Sequence, residues 1–179
     1  HADARYSLRD ANDKTITEAR LPQDGQPHPL TLKVPKPGLY WFDFDDVSAG
    51  WKIEAGADQP ISILLQPDHG FAHAGHMEQM FFYVPKGTKT IQYLRAGDSH
   101  HVWHPEQKGA SIVIGHLPRL ITQIEEIPVP SGEDGKLWSM TYFVRAPWFF
   151  NIPNVFIVSP DVALLPRELA EKDGLTILK

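Results

Sequence analysis

The sequence predicts an all-β fold: an antiparallel β-sandwich, jelly-roll-like, with one short C-terminal helix. Three observations predict it. Short runs of alternating apolar and polar residues recur every ~8–12 residues, the spacing of a sandwich or antiparallel barrel. The 16 prolines and 13 glycines cluster between those runs and punctuate them as turns. The 19 aromatics (5 Trp, 5 Tyr, 9 Phe) fall largely within the runs, where strands favour them.

The elements follow in order. Segment 1–29 reads as polar and irregular, with one weak alternation at Thr15-Ile16-Thr17. Leu30 to Val34 alternates as a half-buried strand does, and Pro35-Lys36-Pro37-Gly38 turns it. Leu39 to Phe44 is an aromatic strand ending at Asp45-Asp46. Trp51 to Ala55 alternates again, and Ile61 to Leu65 reads as a short, fully buried run. Pro67 to Glu78 is a loop with three histidines. Met80 to Val84, Thr90 to Leu94, Val102-Trp103 and Ser111 to Ile114 are strands separated by turns at Pro85 to Thr88 and Pro105 to Gly109. Leu120 to Val129 is extended, Ser131 to Gly135 is a turn, and Leu137 to Val144 and Phe149 to Val158 complete the strands, the last broken at Pro153. Within these, Trp41 and Trp138 have apolar neighbours at alternating positions and are expected in the core. One helix is expected over Arg167 to Lys172, with Pro166 at its first position and Gly174 just past its end. No internal repeat or low-complexity linker interrupts 1–179, which reads as one domain.

Composition narrows the function. The chain has 179 residues, 17 Lys plus Arg and 22 Asp plus Glu, a net charge of −5. No basic stripe stands out, so nucleic acid is not an expected partner. No apolar run approaches the ~18 residues of a membrane-spanning helix, so no membrane partner is expected. The absence of cysteine excludes disulfides, thiolate metal sites and thiol nucleophiles. No P-loop, dinucleotide fingerprint or G-x-S-x-G elbow is present. The chain begins with His1 rather than Met, as a processed mature form, an excised domain or a tag remnant does.

Three phrases resemble a family pattern. They are Phe81-Phe82-Tyr83-Val84-Pro85-Lys86-Gly87-Thr88-Lys89 with His104-Pro105-Glu106-Gln107-Lys108-Gly109; Ile127-Pro128-Val129-Pro130 with Gly132-Glu133-Asp134-Gly135-Lys136-Leu137-Trp138-Ser139; and Asn151-Ile152-Pro153, Ser159-Pro160 and Leu164-Leu165-Pro166-Arg167. Together they resemble the non-catalytic, carbohydrate-binding-module-like β-sandwich domains attached to secreted bacterial carbohydrate-active enzymes. The resemblance covers about residues 30–175. It implies an accessory, carbohydrate-binding role, a secreted or periplasmic location, and polysaccharide or a neighbouring catalytic domain as partner. It names no sugar. Physically the phrases are turn chemistry and core aromatics, and they contain no catalytic motif.

The chemistry candidates stand beside plainer alternatives. Six of nine histidines lie between His69 and His104. His69, His73, His76 and Glu78 can gather zinc or copper, or form a polar loop. A cupin would place a second His after its P-x-G turn, where Thr90 stands here. His1 offers a copper-chelating amine and ring, the brace of lytic polysaccharide monooxygenases, although Ala2-Asp3-Ala4-Arg5 matches no such family. Asp43, Asp45 and Asp46 can hold structural calcium or form a solvated turn. The carboxylate pairs Glu125-Glu126 and Glu133-Asp134 invite comparison with glycoside hydrolases, but neighbours on a strand point to opposite faces.

For a carbohydrate ligand, Trp103 is the expected stacking ring, with His101 on its face of the strand and with His101 and His104 as hydrogen-bonding partners. Trp148, in the triplet Trp148-Phe149-Phe150, is a further binding candidate, and the triplet's alternative is packing on both sides of the sandwich. A metal-dependent enzyme and a purely structural packing domain are the competing functions.

Overall fold

The computed structural model describes residues 3–45, 59–64, 79–96, 100–105, 112–114, 122–140, 147–157 and 165–175. The chain divides into two compact units, His1–Glu54 and Ala55–Lys179. Its described elements are twelve strands and one short C-terminal helix, an all-β fold with antiparallel pairing throughout.

The first unit is a three-stranded sheet of β1 (Ala4–Asp10), β2 (Thr15–Leu21) and β3 (Tyr40–Asp45), in the order β2-β1-β3. The first two strands lie in the segment that sequence reading left irregular. Arg5, Arg9 and Asp10 obscure the alternation of β1, but Ala4 and Leu8 are its buried positions. The hairpin is set by Asp10, whose Oδ1 accepts from the backbone N–H of Asn12 and of Lys14, and by Asp13 at φ 64°. Arg9 pairs with both Asp43 on β3 and Asp13 in the turn.

On β3 the half-buried positions are Tyr40, Phe42 and Phe44, and Tyr6 and Phe44 each lie about 6 Å from Phe42, at 6.0 and 6.1 Å. That register puts Trp41 on the other face, 40% exposed, so the expectation that Trp41 is core is wrong. Leu30 to Val34 forms no strand: it lies between Pro29 and Pro35, with Leu30 and Val34 exposed.

The second unit is built on two sheets. One has six strands, β4 (Ser62–Leu64), β5 (Met80–Val84), β7 (His100–Trp103), β8 (Ile112–Ile114), β10 (Lys136–Met140) and β12 (Val155–Ile157), ordered β4-β12-β5-β10-β7-β8. The other has β6 (Thr90–Ala96), β9 (Thr122–Pro128) and β11 (Trp148–Phe149), ordered β11-β6-β9. Their inner faces share one core, in which Phe82, Trp138 and Met140 meet Ile91, Tyr93, Ile127 and Phe149. The rings of Phe82 and Phe149 are 4.9 Å apart and bind the two layers. Strand β4 is half-buried rather than fully buried, because it is an edge with Leu64 exposed.

The triplet splits by alternation: Phe149 is core, Trp148 packs against the core's margin and Phe150 is exposed. Helix α1 (Arg167–Asp173) starts after Pro166 and ends at Gly174, which is left-handed at φ 69° and takes the terminal backbone bonds. The predicted strand at Trp51 to Ala55 and the loop Pro67 to Glu78 lie outside the described residues.

Two substitutions separate the tryptophans. Trp138 is 1% exposed, and Trp138→Ala should cost ~3–5 kcal/mol in chemical denaturation. Trp41→Ala should stay within about 0.5–1 kcal/mol of wild type in the same measurement, as exposed substitutions do.

Candidate functional site

The phrases that drew attention in the sequence meet at the turn between β5 and β6. That turn, Pro85 to Thr88, carries the chain from the six-stranded sheet to the three-stranded one, and Thr88 N–H donates to Pro85 O at 3.2 Å. The backbone N–H of Gly87 donates to Asp134 Oδ2 at 2.7 Å, and that of Gly135 to Val84 O at 2.7 Å. The Gly87 N–H holds the Asp134 carboxyl below its ordinary range. Gly135 sits at φ +71°, where a Cβ would come within 2.8 Å of Lys86 Cγ, so glycine is required there.

Helix α1 closes on the same turn. Asp173 is buried, and its Oδ2 accepts from Tyr83 Oη at 2.9 Å and from the backbone N–H of Lys86 at 2.8 Å. Lys86 Nζ donates to the main-chain oxygen of Asp173. Burial, then the Asp173 hydrogen bond, pushes the Tyr83 phenol above its ordinary range.

The two asparagines of Asn151-Ile152-Pro153-Asn154 serve as backbone substitutes. Asn151 Oδ1 accepts from Gln92 N–H and its Nδ2 donates to Thr90 O. Asn154 exchanges both kinds of bond with Phe149. The resemblance phrases are thus largely accounted for by architecture.

The carboxylate pairs do not act as pairs. Glu125 and Glu126 point to opposite faces. Glu125 Oε1 accepts from Arg95 Nε and Nη2 at 2.9 and 2.8 Å, whereas Glu126 accepts from Gln92 Nε2 at 2.7 Å. Arg95 is buried, and burial together with the Glu125 charge pushes the Tyr93 phenol up. Glu133 is buried and Asp134 is spent on the turn.

Of the expected ligand residues, Trp103, His101 and His104 lie close together and Trp148 does not join them. On β7, Val102 is fully buried while Trp103 and His101 share the other face, their rings stacked at 5.6 Å and 19°. Trp103 borders a hollow of ≈ 220 Å³ with Gln79, Phe81, His104, Pro105, Leu137 and Ser139. Gln79 Nε2 donates to Ser139 Oγ at 2.6 Å. His104 turns back toward the core, its ring 5.5 Å from Trp138 and its Nδ1 3.3 Å from Glu133 Oε2. Glu133 Oε1 receives Lys136 Nζ at 3.0 Å, and its main-chain oxygen receives Trp138 Nε1 at 2.9 Å. Trp148 lies on the other sheet and is no part of this hollow.

Sequence reading missed Gln79 and Ser139 as members of the hollow, and Glu133 as the neighbour of His104. Ser139 is brought there by the strand pairing that sets it opposite Trp103, which no local sequence signal reveals.

The metal candidates fare unevenly. His1, His69, His73, His76, Glu78 and Asp46 lie outside the described residues. Asp43 is taken by Arg9, with Nε and Nη2 at 2.9 and 2.6 Å from Oδ2. Among the described residues no group of three or more His, Asp or Glu side chains could hold a metal ion. No described helix is long and apolar enough to cross a membrane. No protein-family model, curated protein or solved structure matches the chain.

Three measurements check this geometry. Asp173→Ala strands the Tyr83 hydroxyl and the Lys86 N–H, and should cost about 1–3 kcal/mol for each donor left without a partner; Tyr83→Phe removes one bond with its donor and should cost about 1 kcal/mol. Arg95→Met leaves the Glu125 charge uncompensated and should cost ~3–5 kcal/mol. Unfolded tyrosines ionise near pH ~10. Tyr83 and Tyr93 hold their protons to higher pH when folded, so the native state binds more protons than the unfolded state above that point. Stability is therefore expected to fall as pH rises from about 10 toward 12, and to fall less steeply in Tyr93→Phe, as read by denaturant titration at each pH.

Proposed function

We propose that the second unit is a non-catalytic carbohydrate-binding β-sandwich, an accessory domain of a secreted or periplasmic polysaccharide-active system, with the hollow beside Trp103 as its binding site. The observation that carries this reading is Trp103 itself. It is a half-buried indole on the solvent face of its strand, stacked on His101 and set beside a small hollow of mixed lining.

A pyranose ring presents an apolar C–H face bordered by hydroxyls. The indole, Phe81 and Leu137 suit the first, and Gln79, Ser139 and His104 suit the second. Pockets for drug-sized ligands measure about 300–1,000 Å³. A hollow of ≈ 220 Å³ therefore suits one sugar ring, as the end or a single residue of a polymer. The six-stranded sheet behind it is a rigid support, since Val102 and Trp138 are locked in the core. The resemblance of the turn phrases to accessory domains of carbohydrate-active enzymes supports the same reading.

Affinity electrophoresis in gels containing neutral polysaccharides tests it. Wild type should be retarded on at least one of them, and Trp103→Ala should lose about tenfold in affinity, ~1.4 kcal/mol, with its melting temperature unchanged. Equal retardation of the two proteins would remove this site.

A further inference from the structure

One polar atom at the hollow is out of place. His104 Nδ1 is buried with no hydrogen-bond partner, the only such side-chain atom among the described residues. Buried polar atoms are nearly always satisfied, so each exception calls for an explanation. The nearest charge is Glu133 Oε2, 3.3 Å away but out of alignment for a hydrogen bond.

The charged and titratable side chains around the imidazole among the described residues are few. Glu133 faces it from the turn before β10, and Lys136 on β10 holds the other oxygen of that carboxylate at 3.0 Å. His101 stands on β7 against Trp103.

We infer that Glu133 is a positioning residue for His104: it draws the single imidazole proton to Nδ1, so that Nε2 is left as a hydrogen-bond acceptor for the hollow, and the site favours an uncharged, hydroxyl-bearing sugar over an acidic one at neutral pH. The electrostatic argument does not need an aligned hydrogen bond. With the proton on Nε2, the Nδ1 lone pair would lie 3.3 Å from a carboxylate oxygen in a buried setting, and the two would repel. With the proton on Nδ1, the same contact is attractive. The tautomer of a histidine is set by what its other nitrogen faces.

The consequence for binding follows from donor and acceptor chemistry. An acceptor at Nε2 accepts from a sugar hydroxyl, which has a proton to give. It repels a uronate carboxylate, which has none.

The inference of selectivity rests on the carbohydrate reading above, whereas the tautomer does not, and the experiment has an arm for each. In the first, long-range proton–nitrogen spectra of the full chain at about pH 7.5 report the His104 tautomer, its signals identified by their loss in His104→Gln. The Nδ1–H form should dominate in wild type, and Glu133→Gln should shift the population toward Nε2–H while the Trp138 indole N–H stays in place as the sign of an intact fold. A dominant Nε2–H form in wild type, or the same tautomer in both proteins, would overturn the pair.

In the second arm, retardation on neutral xylan and on polygalacturonate is compared at about pH 7.5 in wild type, Glu133→Gln and His104→Gln. Wild type should prefer xylan, and each of the two variants should lose about tenfold of that preference. A preference unchanged in either variant contradicts the assignment. Retention on neither polysaccharide sinks the carbohydrate reading and the selectivity with it, and leaves the His104–Glu133 pair to be decided by the imidazole spectrum.

Discussion

The second unit hangs on the contact between the Asp173 carboxylate and the turn between β5 and β6. A single oxygen accepts from a side-chain hydroxyl, Tyr83, and from a main-chain N–H, Lys86, and so ties the end of the helix to the point where the chain changes sheet. The geometry of that turn decides how β5 and β6 face each other, and those strands carry Phe82, Ile91 and Tyr93 into the shared core. Asp134 and Gly135 grip the same turn from the other side. The carboxylate is thus a local feature with a global effect. Without it, the hydroxyl of the buried Tyr83 is left without this acceptor beneath the helix, and burying an unsatisfied polar group is costly.

The hollow inherits its order from this arrangement. Because Asp134 and Gly135 are fixed on the turn, the preceding Glu133 is held with its main-chain oxygen on the Trp138 indole and its side chain toward His104. Because Trp138 and Val102 are core, the strands β10 and β7 present Ser139 and Trp103 side by side on the outer face. The site is therefore rigid on its floor and polar at one margin. Such a surface orders few groups on binding, which keeps the entropic cost of association low.

Much of the second unit was legible in the sequence. Strands from Met80 to Ile157 fell close to their predicted places because each is bounded by Pro or Gly and carries an alternation or an aromatic run. The helix was legible from Pro166 and Gly174. Of the first unit only β3 was legible: β1 hides its alternation behind Arg5, Arg9 and Asp10, and the partners of Arg9, Asp43 and Asp13, lie on another strand and in the turn. Leu30 to Val34 alternates, yet alternation forms no strand without a partner edge. Trp41 shows the same limit, since which face of β3 is inward depends on Tyr6 across the sheet.

The site was legible in part. Trp103 and His101 sharing a face follows from the two-residue period, and Glu125 and Glu126 diverging follows from the same rule. Glu133 beside His104 did not follow. The two residues are far apart in sequence and meet through the pairing of β7 with β10, which the turn at Glu133 precedes.

The most direct test of the account is a titration of the labelled protein with short neutral oligosaccharides, followed through its five tryptophan indole N–H signals. The account predicts that the Trp103 signal moves with saturable dependence on the ligand while the Trp138 signal, held by the Glu133 carbonyl in the core, stays fixed. A Trp103 signal that ignores every sugar offered, or a response centred on a different indole, would contradict it.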